Sequence, residues 1–215
     1  AYEIPKRDWS SDVCSSDLKL QYDLEFMAGI YYENKLHMNA YSASLQLVTN
    51  TKDAASTNIA MERLKCFVYW ELENAVFIDQ DDQEQAEMLQ LLGINIVTLP
   101  DEPIDQIIGI MLFTKLNAIM QDRLSITRLD ISSILGDSVW YQHEEDDPLG
   151  PFTNEGWWHS SNPQHHDLDV EPAQQNIVKV NPNPWLEYQL LWPEEQVEQS
   201  GNTVVFADFS RHENK

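Results

Sequence analysis

From residue 19 to residue 48, apolar and polar side chains alternate. LQYDLEF sets Leu20, Tyr22, Leu24 and Phe26 against Gln21, Asp23 and Glu25, the period of a strand with one buried face. IYYENKLHMNAY repeats the alternation around Glu33-Asn34-Lys35, which predicts a turn between two strands. SASLQLVT continues the second strand through Leu45, Leu47 and Thr49. The period then lengthens. NTKDAASTNIAMERLKCFVYWELENA carries Ile59, Leu64, Phe67, Val68 and Leu72 at helical spacing, behind Thr51 or Asp53 as a capping side chain.

AVFI reads as a short buried strand. DDQEQAEMLQLLG begins with Asp81, Asp82 and Glu84 at the positive end of a helix dipole and ends on Gly93, where a left-handed residue belongs. INIVTL, rich in β-branched residues, follows as a strand; strand–helix–strand predicts parallel pairing, which needs a crossover. LPDEP offers Asp101 or Glu102 as caps and Pro103 for a first helical turn, where its missing amide costs nothing. IDQIIGIMLFTKLNAIMQDR is apolar on nearly every side, the mark of a buried helix. Gly109 within it marks a close approach of another element, since glycine there otherwise costs about 1 kcal/mol.

RLSITRLDIS and SVWYQHE alternate about LGD and predict a hairpin. Beyond Glu144 the pattern dissolves among prolines, glycines and acids, with WLEYQLLW and TVVFADF each legible as one more strand. The expected fold class is α+β, a mixed sheet packed against helices near 53–75, 82–92 and 103–121. Residues 19–143 form the expected core domain. Residues 144–215 form an irregular, acidic, Trp-rich extension that packs on its surface.

RDWSSDVCSSDL has neither period. Its serines and aspartates bury too little surface to offset ordering entropy, and it lacks the turn glycine of a calcium loop. DWSSDVCSSDL reads as one frame of a common sequencing-library adapter, so residues 1–18 are set aside as a non-native segment. About 197 residues remain, enough for one domain with a sizeable core. Cys66 is then the lone cysteine, which excludes an internal disulfide and suits a reducing compartment. It lies beside the apolar stripe of the first helix and reads as a core residue rather than a nucleophile. No secretory signal is evident, and the longest apolar run, 107–113, is too short to span a bilayer.

Charge changes the picture more. With 36 acids against 13 Lys plus Arg, the formal charge is −23, which repels phosphate backbones and disfavours direct nucleic-acid binding. Positions 137–198 hold 13 acids, a single base (Lys179) and five of the seven tryptophans. Three constellations there bear on chemistry. His159, His165, Asp167 and Asp169 have the donor types for a divalent metal, which would suit a metal-dependent hydrolase or nuclease. The adjacent pair His165-His166 cannot easily serve one ion, and a His-rich solvated loop is the plainer reading. Glu144, Glu145, Asp146 and Asp147 either contact a partner, imitate a nucleic-acid backbone to block a host protein, or form a solvated face. Phe152, Trp157 and Trp158 in GPFTNEGWWH are candidate partner contacts, since Trp is enriched at binding hot spots; packing of the loop on the domain is the favoured alternative. No phosphate loop, nucleophile elbow or dinucleotide fingerprint occurs, and no catalytic set is assigned.

GIYYENKLHMNAY, LGINIVTLPDEPIDQIIGIMLFTKLNAIM, DISSILGDSVWYQHEEDDPLGPF and GWWH together resemble a conserved hypothetical protein family of T4-like tailed bacteriophages, from about residue 20 to the C-terminus. The resemblance implies a phage origin and the cytoplasm of an infected bacterium, and it brings no activity and no catalytic residue. The leading expectation is a non-enzymatic accessory protein that binds a host or phage protein, without cofactor or membrane.

Overall fold

Alternation over residues 19–48 becomes a long antiparallel hairpin. In a computed structural model, which describes residues 19–137, 139–165 and 183–196, β1 (Lys19–Tyr32) and β2 (Lys35–Thr49) pair from Lys19↔Val48 to Tyr32↔Lys35. The turn is Glu33-Asn34 alone, with φ of 50° and 59°, the left-handed pair that a two-residue type I′ turn requires. Lys35 already belongs to β2. Leu24, Phe26 and Ala28 share one buried face with Tyr41, Ala43 and Leu45, because successive side chains point to opposite sides.

The predicted parallel unit is present. β3 (Val76–Asp79) runs parallel to β1, α2 (Gln83–Leu91) crosses over, and β4 (Ile96–Leu99) runs parallel to β3. Gly93, with φ 79°, follows α2 as expected. Alternation sends Val76, Ile78 and Ile96 under α2, against Ala86 and Leu89. Phe77, Val97 and Leu99 enter the main core on the other face. β5 (Leu124–Ser133) pairs antiparallel with β2, and β6 (Tyr141–Glu144) with β5. The six-stranded mixed sheet has the order β4-β3-β1-β2-β5-β6, and the chain is α+β.

α1 (Ala54–Cys66) is capped by Asp53, whose carboxylate accepts from the Ala55 and Ser56 amides at 3.1 and 3.0 Å. The helix expected to run to residue 75 changes pitch at Phe67 and winds as a π-helix over Phe67–Leu72. The wider turn places both Phe67 and Leu72 in the core and leaves Tyr69 and Trp70 outside. α3 (Asp105–Met120) is buried without interruption from Ile107 to Leu116, and again at Ile119 and Met120. Its expected caps, Asp101 and Glu102, do not cap it. Ile104 holds the N-cap position without a side-chain bond, and Asp101 instead accepts from the neighbouring Glu102 amide.

The extension contributes to the core rather than wrapping a finished surface. Phe152, Trp157, Trp158, Trp185, Leu191 and Trp192 belong to the same buried cluster as Leu24 and Met111. WLEYQLLW is not a strand. Pro184–Leu186 forms a 3-10 turn started by the Asn183 side chain, and the Leu190 amide returns to the Trp185 carbonyl at 2.9 Å. That compact path lets Trp185 and Trp192 both turn inward. TVVFADF and residues 1–18 lie outside the described residues.

A Cβ at Gly109 would stand 3.0 Å from Ile131 Cγ2 and 3.0 Å from Tyr141 Cδ1, both on the sheet. Gly109→Val is therefore expected to lower stability by about 1–3 kcal/mol through overpacking, measured as a shift in the urea unfolding midpoint.

Candidate functional site

Burial decides the fate of the aromatic candidates first. Phe152, Trp157 and Trp158 are 0%, 4% and 7% exposed. The Trp157 indole donates to the Thr98 carbonyl at 3.1 Å, and that of Trp158 to Phe152 and Asn154 carbonyls at 3.1 and 3.0 Å. Gly156 makes room, since a Cβ there would fall 2.4 Å from the Trp158 ring. These three side chains are satisfied inside the core and present nothing to a partner, which corrects their reading as contact residues. The acids Glu144, Glu145, Asp146 and Asp147 are exposed, as a solvated face would be. Asp147 accepts from the Glu144 amide, and Glu144 lies 3.8 Å from Arg128.

His159 and His165 bond to different partners. His159 is exposed and its Nε2 donates to the Phe152 carbonyl at 2.7 Å, whereas His165 is buried with Nδ1 3.0 Å from Glu71 Oε2. Among the described residues no three His, Cys, Asp or Glu side chains are placed to hold a metal ion. His166, Asp167 and Asp169 lie outside the described residues. Cys66 is in the core, and burial together with Glu71 and Glu62 pushes its thiol up to about 11, the opposite of what a nucleophile needs.

Two buried cations were not singled out by the sequence pattern. Lys115 lies within the apolar α3, 0% exposed, and its ammonium donates to the Trp157 and Ser160 carbonyls at 2.8 and 2.9 Å. Burial pushes it down to about 7, with Glu71 acting the other way. It ties the 3-10 turn Trp157–His159 to the helix. Arg63, also 0% exposed, has its guanidinium carbon 3.8 Å from the Trp192 ring centre and 4.6 Å from that of Trp185. Its Nε donates to the Leu190 carbonyl at 2.9 Å, and Glu195 stands 3.7 Å away. Arg123 also lies over the Trp192 ring, 4.5 Å from its centre, and pairs with Glu194. Both sites are occupied by their own chain: Lys115 holds residues 157–160 on α3, and Arg63 holds residues 183–196 on α1.

One open apolar edge lies at the turn end of the hairpin. Leu36 and Met38 of β2, Ile104 before α3, and Ile134, Leu135 and Val139 between β5 and β6 are large apolar side chains left exposed, Val139 at 68% and Ile134 at 73%. The Ile134 amide bonds the Ala40 carbonyl and the Leu135 amide bonds the Asn39 side chain, both at 3.1 Å, which fixes this connection to β2. Ile104, Leu135 and Val139, together with Ile30, Tyr141 and the 38%-exposed Tyr32, wall a groove of about 330 Å³ with Asn39, Asp105, Gln106 and Ser133 as its polar lining, while Leu36 and Met38 alternate with Asn39 and lie on the other face of β2. A second groove of about 330 Å³ shares Tyr32 and Pro103 with the first and is lined by Glu33, Asp79, Asp81, Asp82 and Glu102. Apolar and acidic surfaces thus meet along one edge. Leu36 and Met38 had been legible only as part of a strand alternation, and the loop residues carried no signal of exposure.

No model of a known protein family and no curated protein matches the sequence. Among solved structures, the chain is similar to an uncharacterised protein from Wolinella succinogenes at 13% identity and TM-score 0.44, over 61% of this chain and 100% of that one. It is also similar to a 6-pyruvoyltetrahydropterin synthase from Plasmodium vivax carrying a substitution of a catalytic residue, at 13% identity and TM-score 0.40, over 62% and 100%. The corresponding protein of Plasmodium falciparum matches at 14% identity and TM-score 0.39, over 61% and 99%. These likenesses are too distant to carry a residue role across. Among the described residues no helix is long and apolar enough to cross a membrane.

Lys115 generates a pH signature. Its folded value of about 7 lies below the ordinary 10.5, so between those values the unfolded chain binds the extra proton and stability rises with pH. A neutral amine keeps two N–H groups, enough for both carbonyls. Lys115→Met is expected to flatten the rise in urea unfolding midpoint between pH 7 and pH 9.5 relative to the wild-type chain.

Proposed function

We propose that this chain is a non-enzymatic binding protein of a T4-like bacteriophage that docks a basic protein of the infected bacterium on the turn end of its hairpin. The observation that carries this reading is the exposure of Tyr32 from β1, Ile104 before α3, and Leu135 and Val139 between β5 and β6 around one groove. Contiguous exposed apolar surface is uncommon on a free protein and marks a place where another surface sits. The neighbouring acidic groove sets the sign of that surface. A formal charge of −23 draws in cationic surfaces and repels a second copy of the same chain. Phage origin and the infected cell come from the sequence resemblance and are part of the proposal.

The groove replaces the Trp-rich extension as the contact surface, because the tryptophans are spent in the core. The test uses the full chain in lysate of infected bacteria, with cross-linking to locate the contact. The wild-type chain is expected to retain a basic protein cross-linked near Leu135 and Val139. The double variant Leu135→Asp, Val139→Asp is expected to weaken that association at least about 30-fold, the scale of a lost hot spot, while keeping its thermal unfolding midpoint within a few degrees. Undiminished capture by the variant, or self-association through this face in sedimentation, would overturn the reading.

A further inference from the structure

Within the apolar groove one charge stands without a counter-charge. Asp105 opens α3, is partly buried, and both of its carboxylate oxygens lie within reach of the Ser133 hydroxyl, at 2.8 and 2.9 Å. The Ser133 oxygen accepts in turn from the Gly136 amide at 3.1 Å. Gly136 runs so close that a Cβ there would fall 2.4 Å from Asp105 Oδ2. The carboxylate is therefore fixed by the β5–β6 connection before any ligand arrives. Among the described residues it forms no ion pair, and no Lys, Arg or His lines the groove. Its place in the first turn of α3 supplies partial positive charge, which a full cation in the groove would supplement.

The walls narrow the identity of that cation. Ile30, Ile104, Leu135 and Val139 are aliphatic, and Tyr32 and Tyr141 add aromatic rings. A guanidinium on a trimethylene stem matches all three kinds of surface. Its edge pairs with a carboxylate through parallel N–H bonds, its weakly hydrated plane lies on a tyrosine ring, and its stem covers aliphatic carbon. A lysine ammonium is a compact, strongly hydrated point charge and uses only the first of these. Anionic ligands meet Asp105 at the lining and the acids of the adjoining groove.

We infer that the groove is an arginine socket, in which Asp105 pairs with the guanidinium of an arginine projecting from the basic partner, and the acidic groove beyond Tyr32 and Pro103 receives the positive charges beside it. The inference rests on the binding role proposed above and names the side chain that anchors it. Asn39, 4% exposed, keeps the socket open by holding the Leu135 amide at 3.1 Å.

The test is an NMR titration of the full chain with N-acetyl-arginine amide, and with its citrulline and lysine counterparts. Citrulline keeps the shape of arginine and removes the charge. Arginine is expected to shift the amide signals of Asp105, Gln106, Leu135 and Gly136 and to bind at least about 10-fold more tightly than citrulline, and more tightly than lysine. Asp105→Asn is expected to abolish that preference, whereas the pair Asp81→Asn, Asp82→Asn in the neighbouring groove should change the affinity of the single residue less than about 3-fold. Equal binding of arginine and citrulline to the wild-type chain overturns the socket without recourse to any variant. So do shifts confined to Asp79, Asp81 and Asp82. Partner capture that depends on Leu135 and Val139 but not on Asp105 would remove the socket and leave the binding role. An arginine preference at Asp105 without any captured partner would do the reverse.

Discussion

The enclosure of α3 is the constraint on which the rest of this structure depends. A helix apolar around its whole circumference gains from burial only if every side is covered, at about 25 cal/mol for each Å² withdrawn from water. The sheet covers one side, close enough at Gly109 that only a hydrogen fits against Ile131 and Tyr141. α1 covers another. The remaining side is closed by Phe152, Trp157 and Trp158, which belong to a segment without regular secondary structure beyond short 3-10 turns. That lid needs a partner for its carbonyls, and Lys115 provides it from within the helix. One lysine in an otherwise apolar helix thus reconciles an irregular backbone with a dry core.

Holding the lid and residues 183–196 in this way shapes the outside of the protein as much as the inside. The chain has 13 lysines and arginines. Arg63 and Lys115 are fully buried, and Arg123 is engaged by Trp192 and Glu194. Cations consumed in this way cannot neutralise the 36 acids, so the surface is more negative than the composition implies. The same packing takes Trp157, Trp158, Trp185 and Trp192 out of contact with solvent. Part of the apolar surface still available to another molecule is what the sheet leaves uncovered at its turn end, beside the acids of the neighbouring groove.

The strands, the helices and the helix that forms the core were legible because each depends on a local period. Alternation gave β1 and β2, and an apolar circumference gave α3. The strand–helix–strand order gave the parallel pairing of β3 and β4, since chain connectivity leaves few other options. The departures occurred where local preference competes with packing. The first helix changes to a wider pitch at Phe67 so that Phe67 and Leu72 can both reach the core. Asp101 and Glu102, suitable as caps, are used or left exposed in the loop before α3. WLEYQLLW alternates well enough for a strand, yet Trp185 and Trp192 gain more by flanking the Arg63 guanidinium than by joining a ladder.

By itself the sequence determined the α+β class, the hairpin, the crossover unit, the buried helix and the negative charge, because periodicity, turn chemistry and composition are properties of a chain read in order. Only the tertiary structure decided which apolar residues remain outside. Tryptophans that resembled a contact surface were drawn in by the need to close α3, and Leu36, Leu135 and Val139, unremarkable in sequence, were left facing water. Exposure depends on which distant segments come to lie over a side chain, and no local pattern encodes that. The socket at Asp105 is of the same kind: its lining joins residues from β1, β2, α3 and the β5–β6 connection, which meet only when the sheet has formed.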